Sequence, residues 1–169
     1  MKTLCLSLFL ALLGSTSLQA GVAPWTAVAS TGAIDEAALG IYAVGPAQLG
    51  YLPGSSSLTT IVARYNVIDP YYDVFAPSSV VPWQKLELGY FDNSASGSVS
   101  ATLWQVDPTT GAQYEFCTVT SVDSPTPALA SCNLPQVLDF EFSVYFVAIK
   151  ITRSSATAQP QAYSIRLKF

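Results

Sequence analysis

The residues best suited to chemistry are two tryptophans in segments where polar and apolar side chains alternate. The pattern predicts that they share the outward face of one sheet with four polar residues, the full set being Trp83, Trp104, Lys85, Glu87, Gln113 and Glu115. An aromatic ring can stack on a sugar while neighbouring polar groups bond its hydroxyls, so this set is a candidate ligand-binding face. In the alternative interpretation, the aromatic segment 71–82 covers both tryptophans.

This predicted face depends on a meander of three strands. The alternating segments are 83–91, 98–106 and 112–120, and turn-rich stretches separate them. Pairing Leu86 with Leu103 keeps the apolar residues of the first two strands on one side. The two tryptophans then become diagonal neighbours on the other side.

Carboxylates are the main remaining source of catalytic chemistry, because the chain contains no histidine. That absence excludes Ser-His-Asp and Cys-His arrangements and histidine metal sites. Two pairs of acids are candidates for a shared cleft, namely Asp69 with Asp73 and Glu87 with Glu115. In the alternative, the aspartates are turn residues and the glutamates lie on a solvated face. We expect no enzyme activity, with a carboxylate-dependent glycan-cleaving enzyme as the alternative.

Calcium is the one metal whose preferred oxygen ligands occur near predicted strand ends. The candidate ligands are Asp69, Asp73, Asp92 and Asn93. Their spacing matches no known calcium loop, and Asp92-Asn93-Ser94 is typical of a turn between strands. The sequence therefore predicts neither a metal site nor a cofactor.

The N-terminal segment 1–20 is typical of a secretory signal peptide. Lys2 precedes an apolar run, 4–13, and small and polar residues lead to a cleavage site after Ala20. The run is about half as long as a helix that spans a bilayer. We expect a secreted or periplasmic protein that does not insert into a membrane.

Cys117 and Cys132 are the two cysteines beyond this segment, and they are predicted to form a disulfide. An exported protein meets an oxidising compartment in which thiols pair. A disulfide between the two cysteines closes a loop of about fifteen residues, which lowers the entropy of the unfolded chain and stabilises the fold by about 3 kcal/mol.

Strands explain the mature chain better than helices do. At the C-terminus, Tyr163, Ile165, Leu167 and Phe169 alternate with polar residues. Residues 142–151 are apolar on both faces, which predicts a central strand covered on both sides. Further strands are predicted at 39–44 and 58–68, and loops at 70–82 and 124–127. The expected fold is all-β, a single antiparallel β-sandwich of jelly-roll or immunoglobulin-like topology at 37–169, after a lead-in segment 21–36.

The net charge of the chain and the positions of its basic residues exclude one class of binding partner. The formal net charge is −4 and the basic residues are scattered, so nucleic-acid binding is not expected.

The leading hypothesis is a non-catalytic binding or structural domain of the cell envelope or extracellular space, whose partner is a glycan or an envelope protein. An alternative is a small outer-membrane β-barrel, because residues 163–169 resemble the C-terminal recognition strand of bacterial barrel proteins. Against it, segment 142–151 lacks the alternation of barrel strands.

Overall fold

A computed structural model of the chain describes residues 24–68 and 80–169. In these residues the chain forms two antiparallel sheets around one apolar core, which confirms the predicted β-sandwich. The strands are β1 (Trp25–Val28), β2 (Ala33–Ile34), β3 (Tyr42–Val44), β4 (Leu49–Tyr51), β5 (Ile61–Val67), β6 (Val80–Val81), β7 (Lys85–Asp92), β8 (Gly97–Val106), β9 (Gln113–Thr120), β10 (Ser124–Asn133), β11 (Leu138–Asp139), β12 (Val144–Arg153) and β13 (Gln161–Lys168). Two 3-10 turns lie at Ala29–Thr31 and Glu36–Ala38.

The six-stranded sheet has the order β10-β7-β13-β4-β3, and β1 also pairs with β13. The five-stranded sheet has the order β2-β5-β12-β8-β9. A separate short ladder joins β6 and β11. No helix in the described part of the chain is long and apolar enough to span a bilayer.

Alternation along the strands builds the core between the sheets. The inward residues with no exposed surface include Leu86, Leu88, Ile165 and Leu167 of the six-stranded sheet, and Val99, Leu103, Val147 and Ile149 of the five-stranded sheet. Burying a side chain of this kind stabilises the fold by about 1.5–3 kcal/mol.

The prediction that segments 83–91 and 98–106 form a hairpin is wrong. The segment 93–96 carries the chain from β7 in one sheet to β8 in the other. Leu86 therefore lies opposite Leu167 and Cys132 rather than Leu103. The second hairpin is confirmed, since β8 and β9 pair in antiparallel register.

Two other segments differ from their predictions. The segment 124–127, predicted as a loop, begins β10, and its ladder with β7 is irregular between Ser124 and Ala128. Small residues at the core-facing positions of β10 explain why its alternation is weak. The predicted lead-in 21–36 contributes β1 and β2, which pair with β13 and β5.

β12 is the central strand of the five-stranded sheet, as predicted for its segment. Its inward face is fully buried at Val147 and Ile149. Its outward face is not covered, because Phe146 and Ala148 are half-buried and Val144 is 52% exposed. The segment 142–151 is apolar on both faces, so the outward face of β12 forms an accessible apolar surface.

A disulfide joins Cys117 on β9 to Cys132 on β10, as predicted. These strands belong to different sheets, so the bond connects the two layers of the sandwich. Residues 1–20, Asp69, Asp73 and most of the segment 71–82 lie outside the described residues.

Candidate functional site

The structure divides the predicted ligand-binding face between the two sheets. Trp83 immediately precedes β7 and has no exposed surface, so it belongs to the core. Lys85 and Glu87 lie on β7 in the six-stranded sheet. Trp104 and Glu115 lie on the five-stranded sheet, together with Gln113. The two tryptophans therefore cannot form one platform, because β7 and β8 do not pair.

Glu87 takes part in ion pairing on the six-stranded sheet. Its side chain is buried, its Oε2 contacts the Lys168 ammonium, and its Oε1 lies 3.8 Å from Nη1 of Arg166. Glu115 is exposed on the other sheet. The predicted pairing of Glu87 and Glu115 in one cleft is therefore wrong, because they do not lie on neighbouring strands.

The outer surface of the five-stranded sheet carries a different aromatic pair. Trp104 on β8 lies directly opposite Phe146 on β12. The two ring planes are within 15° of parallel, and their centroids are 6.3 Å apart. Both side chains are half-buried and point away from the core, since Leu103 and Val147 beside them point inward.

Polar residues extend this pair across four strands. The aromatic row consists of Glu115, Trp104, Phe146 and Asn66, on β9, β8, β12 and β5. Both end residues are exposed. Three interstrand spacings make the row about 14 Å long. That length suits several units of an extended ligand.

A β-bulge places Glu115 beside Trp104. The β8–β9 register pairs Leu103 with Cys117 and then shifts, so that Trp104 meets Glu115 rather than Phe116. The bulge allows both Phe116 and Cys117 to remain buried.

One of the two rows that flank the aromatic row is largely polar, and the other is mostly apolar. On one side, Thr118, Thr102, Ala148 and Arg64 lie opposite one another, and the two threonine hydroxyls are 2.7 Å apart. On the other side lie Gln113, Val106 and Val144. The hydroxyl groups of Thr102 and Thr118, the Gln113 amide and the Arg64 guanidinium thus lie in the rows next to the rings, where they could bond the hydroxyls of a ligand stacked on them.

A cleft of about 550 Å³ adjoins the Asn66 end of the row. Its walls include Trp25 from β1, Thr31, and Arg64 and Asn66 from β5. Arg64 is paired with Asp35, which neutralises its charge locally. Tyr65 also lines the cleft, although its ring is buried and its hydroxyl donates to the Ala29 carbonyl.

The candidate calcium ligands do not assemble into a site within the described residues. Asp92 is buried, and its Oδ2 accepts a hydrogen bond from the Ser121 hydroxyl. Asn93 is exposed. The described residues contain no group of three or more carboxylates or cysteines that could hold a metal ion.

Sequence reasoning missed three residues of this surface, namely Phe146, Asn66 and Trp25. The segment 142–151, apolar on both faces, predicts a covered position for Phe146. Asn66 is one polar residue in a strand whose other residues are mostly buried or half-buried. Trp25 did carry a signal, because an isolated tryptophan in a segment of small residues indicates docking. Long-range strand order was needed to place Phe146 beside Trp104, and Asn66 and Trp25 at the end of the same row.

No protein-family model matches the sequence, and no curated protein sequence matches it. Among solved structures, a family 6 carbohydrate-binding module is 9% identical over 85% of this chain and 92% of its own, with a TM-score of 0.51. Isomalto-dextranase from Arthrobacter globiformis T6, complexed with panose, is 14% identical over 86% of this chain and 23% of its own, with a TM-score of 0.48. The module CBM36, in complex with calcium and xylotriose, is 11% identical over 83% of this chain and 97% of its own, with a TM-score of 0.40. The first similarity defines the class of fold, a β-sandwich shared with a carbohydrate-binding module.

Proposed function

We propose that this protein is a secreted, non-catalytic carbohydrate-binding β-sandwich that binds a glycan on the outer surface of its five-stranded sheet. The single observation that carries the proposal is the near-parallel pair of Trp104 and Phe146 on that surface. Aromatic faces presented to solvent stack on the apolar faces of sugar rings, where they replace water with specific contacts.

The residues around the rings favour an uncharged glycan. Glu115 is the charged member of the aromatic row, and Arg64 in the flanking row is neutralised by Asp35. Amide and hydroxyl groups from Asn66 and Thr102 offer both donors and acceptors. Such groups match sugar hydroxyls, whereas an anionic polymer would require a cluster of unpaired cations.

The length of the row favours an oligosaccharide over a single sugar. It crosses four strands and ends at the cleft beside Trp25. A chain lying across the strands would contact the rings at its centre and polar groups at each end. The fold of the family 6 carbohydrate-binding module is consistent with this type of binding surface.

Export and lack of catalysis belong to the same proposal. The segment 1–20 is typical of a signal peptide, and the disulfide suits an oxidising compartment outside the cytoplasm. The chain has no histidine, and Glu87 and Glu115 are held on different sheets. These features favour a domain that binds glycans over one that cleaves them.

The test is a binding panel of neutral polysaccharides, comprising cellulose, xylan, mixed-linkage β-glucan, chitin and dextran, with alginate as the anionic comparison. We expect the purified protein to bind at least one neutral polymer. Trp104→Ala and Phe146→Ala should each weaken that binding about tenfold, because each removes one stacking surface.

Phe169→Ala is the matched control, since Phe169 is 51% exposed at the end of β13 in the other sheet. Its binding should equal that of the unmodified protein. Absence of binding across the neutral panel would contradict the proposal. So would binding that both alanine variants retain while their circular dichroism shows them folded.

A further inference from the structure

A second cleft, of about 350 Å³, lies on the six-stranded sheet beside β3, β4 and the start of β13. We call it the glutamine cleft, and its lining includes Gln48, Gly50, Pro53, Gly54, Gln159 and Gln161. No charged side chain lines it. It belongs to the sheet opposite the one that carries Trp104, so it is separate from the aromatic row.

Three glutamines from two segments of the chain line this cleft. Gln48 precedes β4, Gln161 begins β13, and Gln159 lies two residues before it. Gln161 accepts a hydrogen bond of 3.1 Å from the Tyr163 hydroxyl through Oε1, which leaves its N–H donors available. Gln159 donates through Nε2 to the Ala156 carbonyl at 3.3 Å, which leaves its oxygen available as an acceptor.

Gly50 allows the Gln161 side chain to lie against strand β4. A Cβ atom at position 50 would lie 3.0 Å from Cγ of Gln161 and 3.3 Å from the Pro160 carbonyl oxygen, so a side chain there would displace Gln161. Gly54 has a φ of +80°, a conformation that L side chains rarely adopt, and it allows the wall segment to turn.

Arg153 makes the cleft walls rigid. Its buried guanidinium donates to the carbonyls of Ser55 and Ser57 on one wall segment and of Ala156 and Ala158 on the other. It also stacks on the Tyr51 ring, with 3.8 Å between the guanidinium carbon and the ring centroid. Both segments beside the glutamines are therefore fixed before any ligand arrives, which lowers the entropy cost of binding.

We propose that the glutamine cleft is a second binding site, which takes one uncharged sugar residue through hydrogen bonds. Amide groups that donate and accept at neighbouring points match the vicinal hydroxyls of a pyranose. The absence of charge from the lining disfavours phosphate or carboxylate ligands. This site does not depend on the aromatic row, because different residues on a different sheet form it.

The experiment is a titration of the whole protein with methyl glycosides of glucose, galactose, mannose, xylose and N-acetylglucosamine. Proton–nitrogen correlation spectra follow the side-chain amide signals directly. At least one glycoside should shift the signals of Gln48, Gln159 and Gln161. The double variant Gln48→Ala/Gln161→Ala should weaken that binding about tenfold, because two hydrogen-bonding groups are lost.

Two controls separate this site from the aromatic row. Gln136→Ala removes an exposed glutamine elsewhere and should leave the titration unchanged. Trp104→Ala should also leave it unchanged, whatever happens to polysaccharide binding. The proposal is overturned if no glycoside shifts these amide signals, or if the double variant binds as well as the unmodified protein.

Discussion

The disulfide between Cys117 and Cys132 joins β9 of the five-stranded sheet to β10 of the six-stranded sheet, with Cα atoms 6.2 Å apart. β9 and β10 are edge strands of their sheets. The bond therefore closes one side of the sandwich, where no ladder hydrogen bonds connect the layers.

Removing this bond should destabilise the fold without changing its topology. For Cys117→Ala/Cys132→Ala we expect the free energy of unfolding to fall by about 3 kcal/mol, because the unfolded chain regains the entropy of a fifteen-residue loop. Urea denaturation followed by tryptophan fluorescence measures this change. The unmodified protein in reductant should approach the same midpoint, and an unchanged midpoint in the double variant would contradict the prediction.

Arg153 should be the most costly cation to replace. Arg153→Met leaves four buried or half-buried carbonyls without their donor, so we expect a loss of about 3 kcal/mol in the free energy of unfolding. The matched control is Arg64→Met, which breaks an exposed ion pair with Asp35 and should cost less than about 1 kcal/mol. Equal urea midpoints for the two variants would show that the buried guanidinium is not needed.

Tyr65 should make the fold sensitive to alkali. Burial raises the pKa of its phenol above the ordinary value. The contribution of neutral Tyr65 to the free energy of unfolding is therefore fully present below the unfolded-state pKa of about 10. It is lost as the pH rises toward and through the higher pKa of Tyr65 in the folded state.

Urea midpoints measured at several pH values on either side of 10 test this prediction. Tyr65→Phe should flatten the decline above that pH, because the unfolded state can no longer gain a charge there. Tyr114→Phe is the control, since Tyr114 is 57% exposed and should not alter the slope. Identical slopes for the two variants would be evidence against the role of Tyr65.

The chemistry of the ring at position 104 should determine glycan binding more than its size. Trp104→Phe retains an aromatic face opposite Phe146, so we expect it to keep most of the affinity that Trp104→Ala loses. Isothermal titration with an oligosaccharide cut from the polymer selected by the panel measures both variants. If Trp104→Phe is as weak as Trp104→Ala, indole contacts other than stacking must hold the sugar.

Some features of the fold could be predicted because residues close together in the sequence are enough to specify them. Alternating side chains in 98–106 and 112–120, with a turn between them, specified the β8–β9 hairpin. The doubly apolar segment 142–151 indicated the middle position of β12. Beyond the segment 1–20 the chain has two cysteines, which have one possible pairing.

Other features could not be predicted, because alternation shows which side of a strand is buried but not which strand lies beside it. Leu86 and Leu103 are buried whether their strands pair in one sheet or face each other across the core. Only the second arrangement occurs, and it separates Trp83 from Trp104. The bulge that places Glu115 beside Trp104 likewise has no clear local signal.

The sequence by itself determined the β-sandwich class, the disulfide and the outward position of Trp104, because these depend on periodicity and on the small number of cysteines. The tertiary structure alone decided that Phe146, rather than Trp83, is the aromatic partner of Trp104. It also gathered the three glutamines of the second cleft. The physical reason is that packing between distant segments sets the strand order in a sandwich. Alternative strand orders differ in the surface that they bury between such segments, and a local sequence pattern does not contain that difference.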